Sequence, residues 1–303
     1  MKLAVCVDDT DDLTKTTSTG KVAGELEKLF NKLGGKVDLG ITRHQLPLLK
    51  EIKYTSHNSS MCFTGNLPDE KYQKFITAAP EHVKLGSVPA SDPGLCIYKI
   101  PAYPKDLSLK QIIAFGLHAK SNYVEKSEAL KFASEDPNIL LLELGGSGIG
   151  VIGALAGVGL RLSQDDGRFR GKRPLSVENG TLNAQEIIDE LGGSGEAQIM
   201  CLDSGLVESH SPITLNGEVK LILKQGKKTL PVVQTASGYS AIDLQTLKET
   251  EDKHPDWEYL CGEFSYDNDV EEFSHLTGKC CANCLYRRWE EDGMSCVKDN
   301  LPV

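Results

Sequence analysis

Three carboxylates, Asp8, Asp9 and Asp11, fall within four residues directly after the apolar run Lys2 to Val7. Like charges packed that tightly repel one another and call for a counter-ion. Mg2+ suits the task, because it takes one or two carboxylates together with phosphate oxygens and water. Thr10 lies among the acids, and Thr16, Thr17, Ser18 and Thr19 follow them just ahead of a helix-like segment. Those hydroxyls, with the N-terminus of that helix, supply groups for phosphate oxygens. The competing reading is a solvated turn whose aspartates cap a helix. Gly20-Lys21 is not a P-loop, since Lys15 stands where that motif needs glycine and Val22 where it needs Ser or Thr.

A second constellation is Gly145-Gly146-Ser147-Gly148-Ile149-Gly150, entered from the apolar run Ile139 to Leu144 and followed by a helix-like run, Val151 to Leu160. Gly148-x-Gly150-x-x-Gly153, with Asp165 or Asp166 downstream, has the outline of a dinucleotide fingerprint, which keeps a nicotinamide-dependent oxidoreductase as a rival. Two roles stay open for the glycines. Gly146, Gly148 and Gly150 expose backbone N–H groups to phosphate, or they let a helix approach a sheet closely. No Gly-x-Ser-x-Gly elbow is complete, which removes the corresponding hydrolase chemistry. Next come Arg161, Arg168, Arg170, Lys172 and Arg173, a cation cluster on an acidic chain. Arg168 and Arg170 are the candidates for phosphate contact, against a solvated loop that neutralises nearby acids.

The third constellation is cysteine-rich. Cys281-x-x-Cys284 and Cys296 provide three thiols, with Cys261 or Cys280 as a fourth and His275 also available. Such ligands suit tetrahedral Zn2+, and Cys261, Cys281, Cys284 and Cys296 form the preferred set. An iron-sulfur cluster would use the same ligand type. Cys6, Cys62, Cys96 and Cys201 lie in apolar contexts and read as buried fillers.

The elements that position these groups belong to a chain of 303 residues, long enough for about two domains, and its 40% apolar content supports a core. The 43 acidic residues outnumber the 33 basic ones, leaving a net charge of -10, which disfavours a protein that grips DNA or coats RNA by neutralising phosphates. A membrane surface is disfavoured on the same ground. No stretch reads as a transmembrane span or a signal-peptide core, so a cytoplasmic protein with reduced cysteines is expected. Lys2 to Val7 reads as a buried strand, Gly20 to Leu33 as an amphipathic helix, and Val37 to Ile41 as a strand. Met61 to Thr64 and Leu95 to Ile100 read as strands flanking a helix at Asp69 to Thr77. Helices are expected at Ser108 to His118, Val124 to Ala133 and Ala184 to Leu191. Ile139 to Leu144 is the clearest buried strand, and Glu218 to Val233 reads as a hairpin. The class is α/β, with α+β elements, and 61–100 is an inserted β-α-β layer.

Three separated segments are similar to archaeal tRNA(Ile) agmatidine synthases, which use ATP to attach agmatine to a tRNA cytidine. Val7-Asp8-Asp9-Thr10-Asp11-Asp12 with Thr17-Ser18-Thr19 resembles that family's acidic loop and threonine turn. Arg43-His44-Gln45-Leu46-Pro47 to Tyr54-Thr55-Ser56-His57-Asn58-Ser59-Ser60 resembles its second segment, and Gly146 to Ala156 its glycine loop and helix. The resemblance implies a kinase-like ATP-binding domain over 1–60 with 101–195 and a ferredoxin-like insertion at 61–100. A small β-rich segment would occupy 196–250 and a zinc-ribbon-like tail 251–303. It implies that Asp8, Asp9 and Asp11 handle Mg-ATP, that Thr19 matches a reactive threonine, and that Asn58 matches a binding asparagine. Ser56-His57 replaces the family's arginine, and no segment reads as its OB-fold. The reaction class therefore transfers more safely than the substrate. The reading is a Mg2+-dependent, ATP-using phosphotransferase or ligase acting on an RNA or small-molecule acceptor. The alternatives are a tRNA cytidine-modifying synthase proper and a non-catalytic nucleotide-binding regulator.

Overall fold

The N-terminal apolar run is the central strand of an antiparallel sheet. The computed structural model describes residues 1–11, 17–47, 58–102, 107–171, 175–177, 179–201, 204–217, 219–242, 287–290 and 293–296. These divide into two compact units, 1–163 with 286–303, and 164–285. The boundary falls after Ser163, against the 195 expected from the sequence.

In the first unit β1 (Lys2–Asp8) is flanked by β3 (Ser59–Asn66) on one side and β4 (Gly94–Lys99) on the other. Outside these lie β2 (Lys36–Gln45) and β5 (Ile139–Glu143), giving the order β5-β4-β1-β3-β2. The β-α-β stretch expected at 61–100 is present, with its two strands on either side of β1 in this one sheet. Every residue of β1 after Lys2 is buried, since helices cover both faces. That is why its sequence is continuously apolar instead of alternating. Leu3, Val5 and Val7 pack on α1 (Thr19–Lys32) and α2 (Tyr72–Gly86) through Leu26, Phe30 and Phe75. Ala4 and Cys6 face the opposite side, toward α3 (Leu107–Ala119), α4 (Lys126–Ser134) and α5 (Gly150–Ser163).

Two expectations shift. Helix α2 runs on to Gly86 through Pro80, because Phe75, Ala79 and Val83 form a buried stripe that outweighs the lost backbone hydrogen bond. Strand β5 is an edge strand and only half-buried. All its described pairing is antiparallel to β4, so it cannot serve as the parallel strand that a dinucleotide fold requires. The oxidoreductase rival loses its scaffold there.

The second unit is richer in strands than the hairpin read from sequence. It contains β6 (Arg168–Phe169), β7 (Asn179–Asn183), α6 (Ala184–Glu190), β8 (Ala197–Cys201) and β9 (Gly205–Leu206). Then follow β10 (Pro212–Asn216), β11 (Ile222–Lys224), β12 (Lys227–Thr235) and β13 (Gly238–Ala241). The expected hairpin is β11 and β12, and β12 also pairs with β8 in parallel and β13 in antiparallel fashion. Helix α6 opens with a full capping box between Asn183 and Glu186. In the tail, β14 (Arg287–Glu290) and β15 (Gly293–Cys296) form an antiparallel pair. No helix among the described residues is long and apolar enough to cross a membrane.

Candidate functional site

Strand register carries five segments to one edge of the first unit's sheet. Asp8 stands opposite Gly94, Gly94 opposite Glu143, Val7 opposite Met61, and Gln45 opposite Ser59. The acidic loop after β1, the segment before β4, the glycine loop after β5, the start of β3 and the end of β2 therefore meet. A cleft of about 720 Å3, counted to its solvent-open mouth, lies there. Its polar lining is Asp8, Asp9, Asp11, Thr19, Asn58 and Ser59. Leu46, Pro47, Ala119, Val124 and Ile149 supply apolar surface, together with Tyr123 beside Asn122.

Asp8 is 8% exposed, and neither it nor Asp9 pairs with a cation among the described residues. Burial pushes the Asp8 carboxyl well above the usual carboxylate range, and the charges of Asp9 and Asp11 push the same way. Asp9 is raised to about 7, first by burial and then by Asp92 and Asp11, while a backbone N–H of Asp92 works in the opposite direction. Asp9 also has φ of 53°, a left-handed conformation that Asp and Asn tolerate better than most residues.

The hydroxyls divide their work. Thr10 is wholly buried and outside the cleft lining; its hydroxyl donates to Thr19 at 3.2 Å and its carbonyl accepts from Val88 N–H at 3.0 Å. Ser18 caps α1 by accepting from Lys21 N–H at 3.2 Å. Thr19, the first residue of α1, faces the cleft. Asn58 donates its amide N–H to the Pro47 carbonyl at 2.7 Å, which fixes it at the cleft's side.

The glycine loop is shaped by Asp92. The Asp92 carboxylate accepts from Ser147 N–H, and its carbonyl accepts from Gly150 N–H at 3.1 Å. Gly146 and Gly148 sit at φ of 52° and 73°, which glycine adopts without steric cost. Gly150 lines the cleft, whereas Gly146 and Gly148 do not. Lys126 donates to the Ser147 carbonyl at 2.6 Å and pairs with Glu143 at 2.5 Å, bracing the loop from outside. One turn into α5, Gly153 has the Asp8 carboxylate where a Cβ would go. Close packing is therefore part of what these glycines do.

The cation cluster is spread out. Arg161 is buried in α5 and donates to the Thr42 hydroxyl at 2.9 Å and the Asp38 carbonyl at 3.1 Å. Arg168, buried in β6, and the exposed Arg170 belong to the second unit. Cys6, Cys62, Cys96 and Cys201 are buried and in no disulfide; Cys62, Cys6 and Cys96 stand opposite one another on three adjacent strands. Of the zinc candidates, Cys261, Cys281 and Cys284 lie outside the described residues, and Cys296 is placed only as backbone in β15. Ser56 and His57 also lie outside them. Asp92, Asn122 and Tyr123 carried no signal in the sequence. Asp92-Pro93-Gly94 reads as an ordinary turn, and the other two are single residues between helices.

The first unit is thus a mixed α/β domain with a carboxylate-lined cleft at one sheet edge. No protein-family model and no curated protein matches the chain. Solved structures do resemble it. Apo TiaS, an agmatidine synthetase for an isoleucine tRNA, is 24% identical with a TM-score of 0.42, over 52% of this chain and 35% of that one. TiaS in complex with that tRNA and ATP is 24% identical with a TM-score of 0.44, over 52% and 36%. TiaS in complex with the tRNA, AMPCPP and agmatine is 16% identical with a TM-score of 0.43, over 74% and 54%. The matched region is between about a third and a half of the length of those solved chains.

Proposed function

We propose that the protein is a Mg2+-dependent, ATP-using phosphotransferase or ligase whose nucleotide site is the cleft beside Asp8 and Asp9. The observation that carries this reading is buried Asp8 beside partly buried Asp9, neither with a cation partner among the described residues, lining one open cleft. Burying an unanswered charge costs several kcal/mol. A fold that keeps two such charges against an open cleft gains by having a ligand answer them.

The donor set suits a hard divalent cation. Among the described residues no three His, Cys, Asp or Glu side chains converge as a metal site. Mg2+ does not require three, because phosphate oxygens and water complete its shell. When bound it would supply positive charge to neutralise phosphate. Asp8 and Asp9 hold the charge that receives it, and Asp11 adds to the field at the same wall. Thr19, supported from behind by Thr10, presents its hydroxyl to the cleft, where the motif resemblance makes it a candidate phosphoacceptor. The first turn of α5, opening at Gly150, contributes the partial positive charge of a helix N-terminus toward phosphate. Asn58 would contact the nucleotide through its amide oxygen, its nitrogen being engaged with Pro47.

The motif resemblance makes an RNA cytidine the first acceptor to test, followed by small-molecule acceptors, with amines such as agmatine as the second substrate. The decisive experiment is product analysis of ATP incubated with Mg2+ and these acceptors, comparing wild type with Asp9→Asn. ADP or AMP formed by wild type alone is the expected result. Intact ATP despite saturable, Mg2+-dependent binding would mark a nucleotide-binding regulator. No binding would remove the nucleotide reading altogether. For the tail, Cys261, Cys281, Cys284 and Cys296 remain the proposed Zn2+ ligands, to be checked by metal analysis of the purified chain.

A further inference from the structure

We infer that the turn between α3 and α4 is the nucleobase end of the cleft, with the Tyr123 ring as its stacking platform. The inference rests on the nucleotide reading above and adds where the base goes and what holds it. Tyr123 lines the cleft at 44% exposure, and it has no hydrogen-bond or ring partner among the described residues. A half-exposed tyrosine ring beside apolar neighbours offers a flat face of the size of a base. Those neighbours are Ala119 and Val124, which line the same cleft and are nearly inaccessible to water themselves. The cleft thus offers two kinds of surface. Carboxylates and hydroxyls suit the metal and phosphates, while the tyrosine turn suits a planar, weakly polar group.

Asn122 adds direction to this end. Its side-chain nitrogen donates to the His118 carbonyl at 2.9 Å and lies 3.3 Å from His118 Nδ1. The amide oxygen is left as the group for a ligand, and a bare acceptor favours a base with an exocyclic amino group. Adenine, guanine and cytosine each carry one, so this acceptor favours them over uracil and thymine.

Calorimetric titration with Mg2+-ATP and, separately, with Mg2+-tripolyphosphate tests this on wild type, Tyr123→Ala and Tyr123→Phe. The ring is exposed enough for truncation to leave the fold intact, which a thermal melt verifies. Tyr123→Ala should weaken ATP binding roughly 5- to 100-fold, the effect of losing one base–aromatic stack, and leave tripolyphosphate binding within about twofold. Tyr123→Phe should bind ATP as wild type does. ATP affinity unchanged in Tyr123→Ala, or both ligands weakened alike, would overturn the assignment. So would wild type binding tripolyphosphate as tightly as ATP, while leaving the phosphate and metal reading standing. Wild type binding neither ligand would remove that reading and this inference with it.

Discussion

Arg161, near the C-terminal end of α5, and Asp8, against Gly153 in the first turns of the same helix, are both almost wholly removed from water, at 4% and 8% exposure. Their surroundings treat them differently. The arginine donates to Thr42 and to the Asp38 carbonyl, so its burial, although it lowers the guanidinium's proton affinity, is answered within the fold. Asp8 accepts from the Asp9 backbone N–H, but the charges beside it, Asp9 and Asp11, are negative like its own. One end of the helix thus closes a structural network, and the other leaves a charge open toward a cleft. A buried charge satisfied by its own chain stabilises, whereas one left unsatisfied at a cavity points to a ligand.

The contrast is broken most sharply at Asp9. Asn keeps the left-handed backbone and the size of the side chain while removing the charge. Asp9→Asn should lower Mg2+-dependent ATP turnover at least about 100-fold, as loss of an electrostatic contact at a reacting phosphate does. Steady-state kinetics on folded protein would measure it, and near wild-type turnover would place the metal elsewhere. The next effect separates two glycines on one helix. In Gly153→Ala the new methyl runs into the Asp8 carboxylate, while in Gly157→Ala it meets Ser60 and Cys6 in the core. Gly153→Ala should cut activity by up to about 100-fold by displacing Asp8. Gly157→Ala should mainly cost stability, about 1–3 kcal/mol from overpacking. Equal losses of activity in the two would erase the distinction between the ends of α5.

Arg161→Met tests the satisfied charge. Removing the guanidinium takes a donor from the Asp38 carbonyl, while Thr42 keeps His44 and the Cys62 carbonyl, and unfolding in urea should show roughly 1–3 kcal/mol less stability. Nucleotide affinity of the folded fraction should hold. A further effect is in pH. An aspartate in the unfolded chain loses its proton near about 3.9, but Asp9 in the folded protein does so at about 7. Between those values the native state binds more protons, so this group makes stability fall as pH rises, until the penalty is complete above the folded value. Melting temperature against pH should therefore decline more steeply for wild type than for Asp9→Asn over that window. Parallel curves would contradict the burial of an unanswered Asp9.

Much of this contrast was legible in the sequence, though unevenly. The acidic loop announced itself because three carboxylates in four residues have few uses, and the helix after it showed a clear apolar stripe, Val22, Leu26 and Phe30, behind its Ser18 cap. The strand order was hidden, because β1, β3 and β4 are largely apolar and say nothing about which neighbours they take. Ile139 to Leu144 looked fully buried and is half-buried at an edge, where its leucines pack against the core on both faces of the sheet. Arg161 read as a free cation because its partners, Thr42 and Asp38, are 119 and 123 residues away. Tyr123 and Asp92 escaped notice for the same reason, as a single residue becomes part of a site only when register brings distant loops together.

The most direct test is the melting temperature with Mg2+ and a non-hydrolysable ATP analogue, for wild type and Asp9→Asn, at a pH above 7. The account predicts that wild type rises by several degrees only when both ligands are present, because binding that favours the native state adds to its stability. Asp9→Asn should start higher and respond little. A wild type indifferent to the two ligands, or an Asp9→Asn protein that shifts just as far, would contradict the claim that the open carboxylates at the head of α5 await Mg-ATP.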